Sequence, residues 1–481
     1  IFDLAKKEAC RMKRMKTDQK RVLILSIALL LTLLSYFMMG ESVAPAVAGD
    51  EGVVVYDFSS TTLIQATIEN EAGSYRVIQE GDSYTISAVP EALLNRDYLL
   101  MILSDLTMLV AEEKIEDVSD LSTFGFDTPG AVIRAQYEDG SELVLLVGAQ
   151  EPISGGFYVK RNDEAGVYRL RKARSARFFM TEERFVNLVL IEPPGSRSPL
   201  AALAQLTVIR PDETIEISRV TEDLPVLMKA SEAYGVASHM VTVPGLYRAD
   251  ETSLVRLSDM LLGLLADQAV SISPSLETRA SYGFDNPSIR FLIRRDDREA
   301  NEVIELLVNQ VEDRWYAMLE GVPAIYRLPT HIDFEVAHTA SLISNRLPGP
   351  LLPDTKTLSV IGGESAFIFT LDHEDGLEVR LEDETIDDDA FRRFYKMLAS
   401  GYGDPSERSG AEVPAEHPAL RLVWELLDGE TIELTFYSKS VQMAEAYLDG
   451  EPLFSVRKAF ISAVLDAAGK VVAGESFETT W

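Results

Sequence analysis

Cysteine is all but missing: Cys10 is the only one in 481 residues. Beyond it the chain has no disulfide, no thiolate metal ligand and no cysteine nucleophile, so its stability has to come from packing. Histidine is scarce as well, at His239, His331, His338, His373 and His417. Positive charge is short, with 45 Lys and Arg against 77 Asp and Glu, a net charge of -32. Such a chain repels phosphates, and no nucleic-acid partner is expected. No Walker A loop, Gly-x-Gly-x-x-Gly, Gly-x-Ser-x-Gly or His-Glu-x-x-His is present, so no motif points to a cofactor or a catalytic centre, and neither is expected. What is present is a globular balance, 46% hydrophobic and 25% charged, over a length that calls for several domains.

Charge is unevenly placed. Residues 1–21 hold Lys6, Lys7, Arg11, Lys13, Arg14, Lys16, Lys20 and Arg21 against Asp3, Glu8 and Asp18. An uncharged run, Val22 to Met39, follows directly. As a helix it would be about 27 Å long, close to the roughly 30 Å apolar core of a bilayer. The reading is a single transmembrane helix over 22–39, with the basic segment 1–21 in the cytoplasm and the main body extracytoplasmic. A cleaved signal peptide competes, since Ala46-Val47-Ala48 fits a cleavage site, but the apolar run is long for one. Cys10, twelve residues before the run, reads as a bystander rather than a lipidation site.

Internal repetition organises the rest. Phe124-Gly125-Phe126-Asp127-Thr128-Pro129 recurs as Tyr282-Gly283-Phe284-Asp285-Asn286-Pro287. After each proline come alternating apolar runs separated by turn residues. Tyr158 and Tyr316 each lie 29 residues past their proline, and Tyr168 and Tyr326 lie 39 past. A third copy starts at His417-Pro418, lacks the aromatic-Gly-Phe signature, and again has a tyrosine, Tyr447, 29 residues on. Upstream of each proline the spacing predicts an amphipathic helix, on Leu99, Ile102, Leu103, Leu106, Leu109 and Val110, then Leu254, Leu257, Leu261 and Leu264, then Phe391, Phe394, Tyr395 and Leu398. Two strand-like runs precede each helix, and a second helix, such as Ser175 to Leu188, is expected to close each unit. Glu192-Pro193-Pro194-Gly195 and Pro348-Gly349-Pro350 punctuate the boundaries. The expected fold is α+β: a linker at 40–57, then three repeated units at 58–192, 200–347 and 355–472, each a helix packed on a mainly antiparallel sheet.

The shared loop has a physical reading. Gly125 and Gly283 permit a positive φ, Asp127 and Asp285 can close an Asx-turn, and Pro129 and Pro287 start the next strand. The aromatics flanking each glycine, Phe124 and Phe126, then Tyr282 and Phe284, are expected to plug the core beside the helix; a ligand-binding turn around the two aspartates is the functional alternative. His331, Glu335 and His338 would share a face if their segment were helical, which makes them the candidate metal ligands, against the plainer reading of a polar helix face. Glu382-Asp383-Glu384 and Asp387-Asp388-Asp389 suit calcium chemically but lack an EF-hand pattern, and read as an acidic helix start. Trp315, Tyr316 and Tyr326 could stack a sugar, but their repeat-matched positions favour strand packing.

A basic start, one apolar span and repeated units with the aromatic-Gly-Phe-Asp-x-Pro loop and tyrosine-bearing strands resemble a bacterial membrane-anchored repeat family of unknown function, often encoded beside ABC transporter subunits of the gliding-motility type. The resemblance covers residues 20 to about 350 well and the third unit weakly. It implies an extracytoplasmic, non-enzymatic scaffold or auxiliary binding subunit of an ABC-type assembly, with the membrane and a permease or other envelope protein as partners. The alternative is a stand-alone surface hydrolase or polymer-binding protein.

Overall fold

The computed structural model describes residues 52–116, 118, 120–162, 164–220, 238–299, 302–374 and 376–481. The chain forms two compact units, one from residues up to 87 together with 96–182, the other from 88–95 together with 183–481. The first unit holds one eight-stranded sheet and a two-stranded one; the second holds two nine-stranded sheets.

One topology is used three times. In the first unit Leu63–Asn70, Gly73–Glu80 and Ser83–Ile86 form a meander that ends in helix α1 (Arg96–Thr107). The chain then returns to the other side of Leu63–Asn70 with Ala131–Tyr137, Glu142–Gln150, Phe157–Arg161 and Val167–Leu170, and Glu113–Ile115 closes that edge. The second repeat runs Leu203–Ile209, Thr214–Arg219, His239–Val243, helix α2 (Glu251–Leu261), then Ile289–Arg295, Ile304–Val311, Arg314–Leu319 and Ala324–Arg327, with Gln268–Ile272 at the edge. The third runs Thr355–Gly362, Ser365–Asp372, Glu378–Leu381, helix α3 (Asp388–Ala399), then Leu420–Leu426, Thr431–Ser438, Met443–Leu448 and Glu451–Arg457, with Asp404–Arg408 at the edge. Helix α4 (Lys458–Ala473) follows.

The register agrees residue by residue. Ile68 pairs with Ile133, Val208 with Phe291 and Val360 with Leu422, and each partner lies four residues past its proline. A bulge falls at the same place in each central strand, between Leu63 and Gln65, Leu203 and Gln205, and Thr355 and Thr357. Alternation sets the inward faces, as in Ala131, Ile133, Ala135 and Tyr137, all buried. Leu99, Ile102 and Leu106 of α1, Leu254, Leu257 and Leu261 of α2, and Phe391, Phe394 and Leu398 of α3 are buried too. Each such side chain contributes about 2 kcal/mol. The helices begin where the sequence caps them: Ser253 N donates to the Asp250 carboxylate, and Ala390 N to that of Asp387 at 2.6 Å.

The α+β expectation is corrected. The described residues are mainly β, 42% strand against 22% helix in four antiparallel sheets, because each repeat sets eight or nine strands against one long helix, or two in the third repeat. The closing helix expected over Ser175 to Leu188 is broken into Lys172–Ser175, Ala176–Phe179 and Glu182–Phe185, one short α turn and two 3-10 turns. Only the third repeat ends in a true helix. The single-pass membrane reading, and with it the cell-membrane, extracytoplasmic placement, is corrected as well: no described helix supports it. No helix among the described residues is long and apolar enough to cross a membrane. The longest, α4, has 16 residues where about 20 are needed. Val22–Met39 and the basic segment before it lie outside the described residues.

Helix α1 also stops earlier than its period suggests. Leu109 and Val110 fit the helical stripe, yet Met108–Ala111 is a strand, paired with Val53–Asp57 from the expected linker. The device recurs: Val189 bridges Leu265 just after α2, and Arg346 bridges Tyr402 just after α3. In each repeat the segment leading into it captures the residues that follow its helix, and that tertiary pairing outweighs helical propensity.

Candidate functional site

The two motif loops are built alike. Gly125 and Gly283 hold φ of 76° and 78°, the left-handed region. Phe124 meets Tyr158 edge-on at 4.9 Å between ring centroids, and Tyr282 meets Tyr316 in the same way at 4.8 Å. Phe284 packs with Leu307, Met318 and Ile325 in a core cluster, and Phe126 stacks at 6.5 Å on Phe124. Asp127 and Asp285 are exposed, and among the described residues neither carboxylate closes a turn. That work falls to Asp120, which accepts from Ser122 N at 2.9 Å, and to Ser275, which accepts from Thr278 N at 3.0 Å. Pro129 and Pro287 precede their strands as the spacing predicts.

A residue missed by sequence reasoning fixes each loop. Gly148 and Asn309 occupy equivalent places, one past Val147 and Val308, which pair with Ala131 and Ile289. A Cβ on Gly148 would run into the Phe124 carbonyl oxygen, so the first loop lies directly on the strand. In the second repeat Asn309 fills the gap: its amide donates to the Tyr282 carbonyl at 2.9 Å and its oxygen accepts from Ser288 N at 3.1 Å.

Strand register also revises the tyrosine spacing. Val147 lies 18 residues past Pro129 and Val308 lies 21 past Pro287; a shorter later turn in the second repeat restores the count at Tyr158 and Tyr316. In the third repeat Tyr437 stands where Gly148 and Asn309 do, and its pairing partner is Glu445, not Tyr447. Tyr447 is wholly buried, edge-on to Tyr437 at 5.6 Å, and donates to the Glu412 carbonyl at 3.2 Å. The loop before Pro418 has no counterpart to the motif.

The metal candidates do not share a face. Residues 331–338 form a turn and a three-residue 3-10 helix, Phe334–Val336. His338 turns its Nδ1 to Glu213 at 2.6 Å, with Glu335 3.8 Å from Nε2, while His331 lines a separate groove. No group of three His, Cys, Asp or Glu able to hold a metal occurs among the described residues. Of the acidic cluster, Asp387 caps α3, with Asp388 and Asp389 in its first turn. Trp315, half-buried, packs edge-on against the buried Phe334 at 5.4 Å, and Tyr326 is buried, so both rings are taken up by packing.

The chief buried charge of the first unit is structural. Asp105 on α1 is 1% exposed and lies 2.8 Å from Arg177 and 3.3 Å from Arg174. Burial raises its pKa, against the two guanidiniums that lower it. Loop 151–156 is held by the Glu151 carboxylate, which accepts from the Ser154 hydroxyl and from the Ser154 and Ile153 amides; these bonds bring its pKa to about 2.

Among the described residues, two wide concave surfaces stand out in the second unit, beside a smaller one of about 150 Å³ in the first, lined by Glu112, Arg171, Arg174 and Arg177. A groove of about 820 Å³ runs along α2, with Val255, Asp259, Leu265, Asp267 and His331 in its walls. A cleft of about 610 Å³ lies where Glu213, His338 and Thr339 meet Pro405, Ser406 and Arg408. In the cleft Glu213 is committed internally, accepting from His338 Nδ1, Thr339 N and the Thr339 hydroxyl. The groove along α2 is the more open to a partner, since Val255 and Leu265 are 40% and 53% exposed.

No curated protein matches the chain, and no solved structure does. A domain of unknown function (DUF4340) covers residues 61–239, the first repeat and the opening strands of the second, and it indicates no catalytic family.

Proposed function

We propose that this chain is a non-enzymatic scaffold or auxiliary binding subunit that acts by docking other proteins, within a transport assembly of the ABC type implied by the sequence resemblance. The observation that carries the reading is the threefold use of one sheet topology, with an exposed apolar side chain at the same place on the helices of the first two repeats, Leu100 at 62% and Val255 at 40%. Repeated units offer extended surface for partners, and exposed apolar positions on such a surface are where partners seat. The polar clusters support this reading: the carboxylates of Asp105, Glu151 and Glu213 are engaged in holding loops and helices. Affinity capture of the full chain from its native cells tests it. An ABC-type permease or ATPase recovered with the chain is the expected result. Turnover of a glycan or other polymer by the purified chain alone would replace the proposal with the hydrolase alternative.

A further inference from the structure

We infer that the groove along α2 receives a cationic amphipathic helix from a partner protein, an inference that rests on the docking reading and gives it a location. Thr252, Val255, Arg256, Asp259 and Gly263 recur every three or four residues, so one face of α2 lines the groove while Leu254, Leu257 and Leu261 face the core. The facing wall is Pro329–Ile332. A ridge of this spacing suits a second helix, whose axis would lie about 8–10 Å away. Val255 and Leu265 supply an exposed apolar floor.

Charge selects the partner. Asp259 and Asp267 flank the floor, and among the described residues neither carboxylate has a side-chain partner. Arg256 is already drawn to Asp333, at 3.7 Å. The net charge of -32 adds a long-range field that gathers basic segments and turns acidic ones away. The other repeats set the limits of the site. Leu100 repeats the exposed apolar position in the first, but Ser104 replaces Asp259 there. In the third, Arg392 stands in place of Val255 and Lys396 in place of Asp259. Only the second repeat combines the apolar floor with both acids.

The test uses the full chain and a fluorescent Leu/Lys peptide of roughly 18 residues, about five helical turns with leucine on one face. Controls are its Leu/Glu counterpart and a scrambled peptide of the same Leu/Lys composition. The amphipathic Leu/Lys peptide is expected to bind, and Asp259→Lys with Asp267→Lys to weaken it about tenfold or more. Glu71→Lys with Glu364→Lys, the same change in net charge on exposed turns, is expected to change binding by less than about twofold. Equal binding of the scrambled peptide, or equal weakening by both double variants, would overturn the inference in favour of unspecific charge attraction. Affinity capture separates the two levels of the argument. An ABC-type permease or ATPase recovered equally with wild type and with the Asp259→Lys, Asp267→Lys chain would remove the groove and keep the docking reading. No partner on the wild-type chain would remove the reading itself.

Discussion

The first two repeats and the third share a sheet topology but are closed over in opposite ways. In the first, the Asn70 amide donates to the Phe178 and Met180 carbonyls at 3.1 and 2.9 Å. In the second, Arg210 stands at the same strand end and donates to the Phe334 and Ala337 carbonyls, both at 2.9 Å. The third has Gly362 there, and a Cβ on it would come 2.9 Å from the Leu465 side chain of α4 and 2.8 Å from the Ala419 carbonyl oxygen. The difference is one of hydrogen-bond supply. An irregular closing segment leaves carbonyls that a side chain must satisfy, whereas a helix satisfies its own and needs only a smooth surface at close range. A long polar side chain and a glycine thus solve the same problem for two different lids.

The sharpest way to break this comparison is at the motif glycines, which the third repeat lacks. Gly125→Val is expected to cost about 3 kcal/mol, because a positive φ is combined with a Cβ 2.7 Å from the Ala149 backbone nitrogen, which cannot move aside. Gly283→Val meets the Asn309 side chain instead, and about 2 kcal/mol is expected, less of it in an Asn309→Gly background. Hydrogen exchange read sheet by sheet checks both, with protection falling in the affected repeat. Gly362→Asn, which gives the third repeat the residue of the first, should cost about 2 kcal/mol and loosen α4 in the same measurement. If α4 keeps its protection, the close fit is not what selects glycine. Arg210→Ala and Asn70→Ala should each cost about 1 kcal/mol, seen as faster exchange in the segments they clamp.

The smallest effect is in pH and is confined to the first repeat, since the turn after its second post-proline strand alone has the Glu151 anchor. The folded carboxyl, at about 2, lies below its unfolded value, so its contribution is present above the unfolded pKa and is lost as pH falls toward 2. Acid titration of urea midpoints should show that loss in wild type and not in Glu151→Gln.

Much of this was legible in the sequence because strand alternation, turn glycines and the proline that opens each post-helix strand are local signals. The strand runs on either side of each long helix and the acidic helix start at Asp387 lie where those signals stand. What was not legible depends on pairing across distance. Leu109 and Val110 carry a helical period, yet Val53–Asp57 takes them as a strand. His331 and His338 have helical spacing in a segment that is not helical, because Arg210 and Glu213 hold its backbone from a distant turn. The count of 29 residues to Tyr447 matches in number but not in register, since turns of different length can add to one sum. Asn309 carried no signal at all: a polar residue in an alternating strand looks like any outward position until the loop above it is in place.

The segment that leads into each repeat has a practical consequence. Residues 188–191 read as the tail of the first repeat, with the Pro193-Pro194 pair inviting a cut after them, but the Leu190 amide donates to the Leu264 carbonyl at 2.9 Å and the Ala266 amide to that of Leu188 at 2.8 Å. A fragment of the second and third repeats begun at Pro193 would therefore expose Leu264 to Ala266 as a bare edge beside the already exposed Leu265. Unpaired edges of that kind recruit strands from neighbouring molecules. Such a fragment would tend to aggregate although every residue of its two sheets is present.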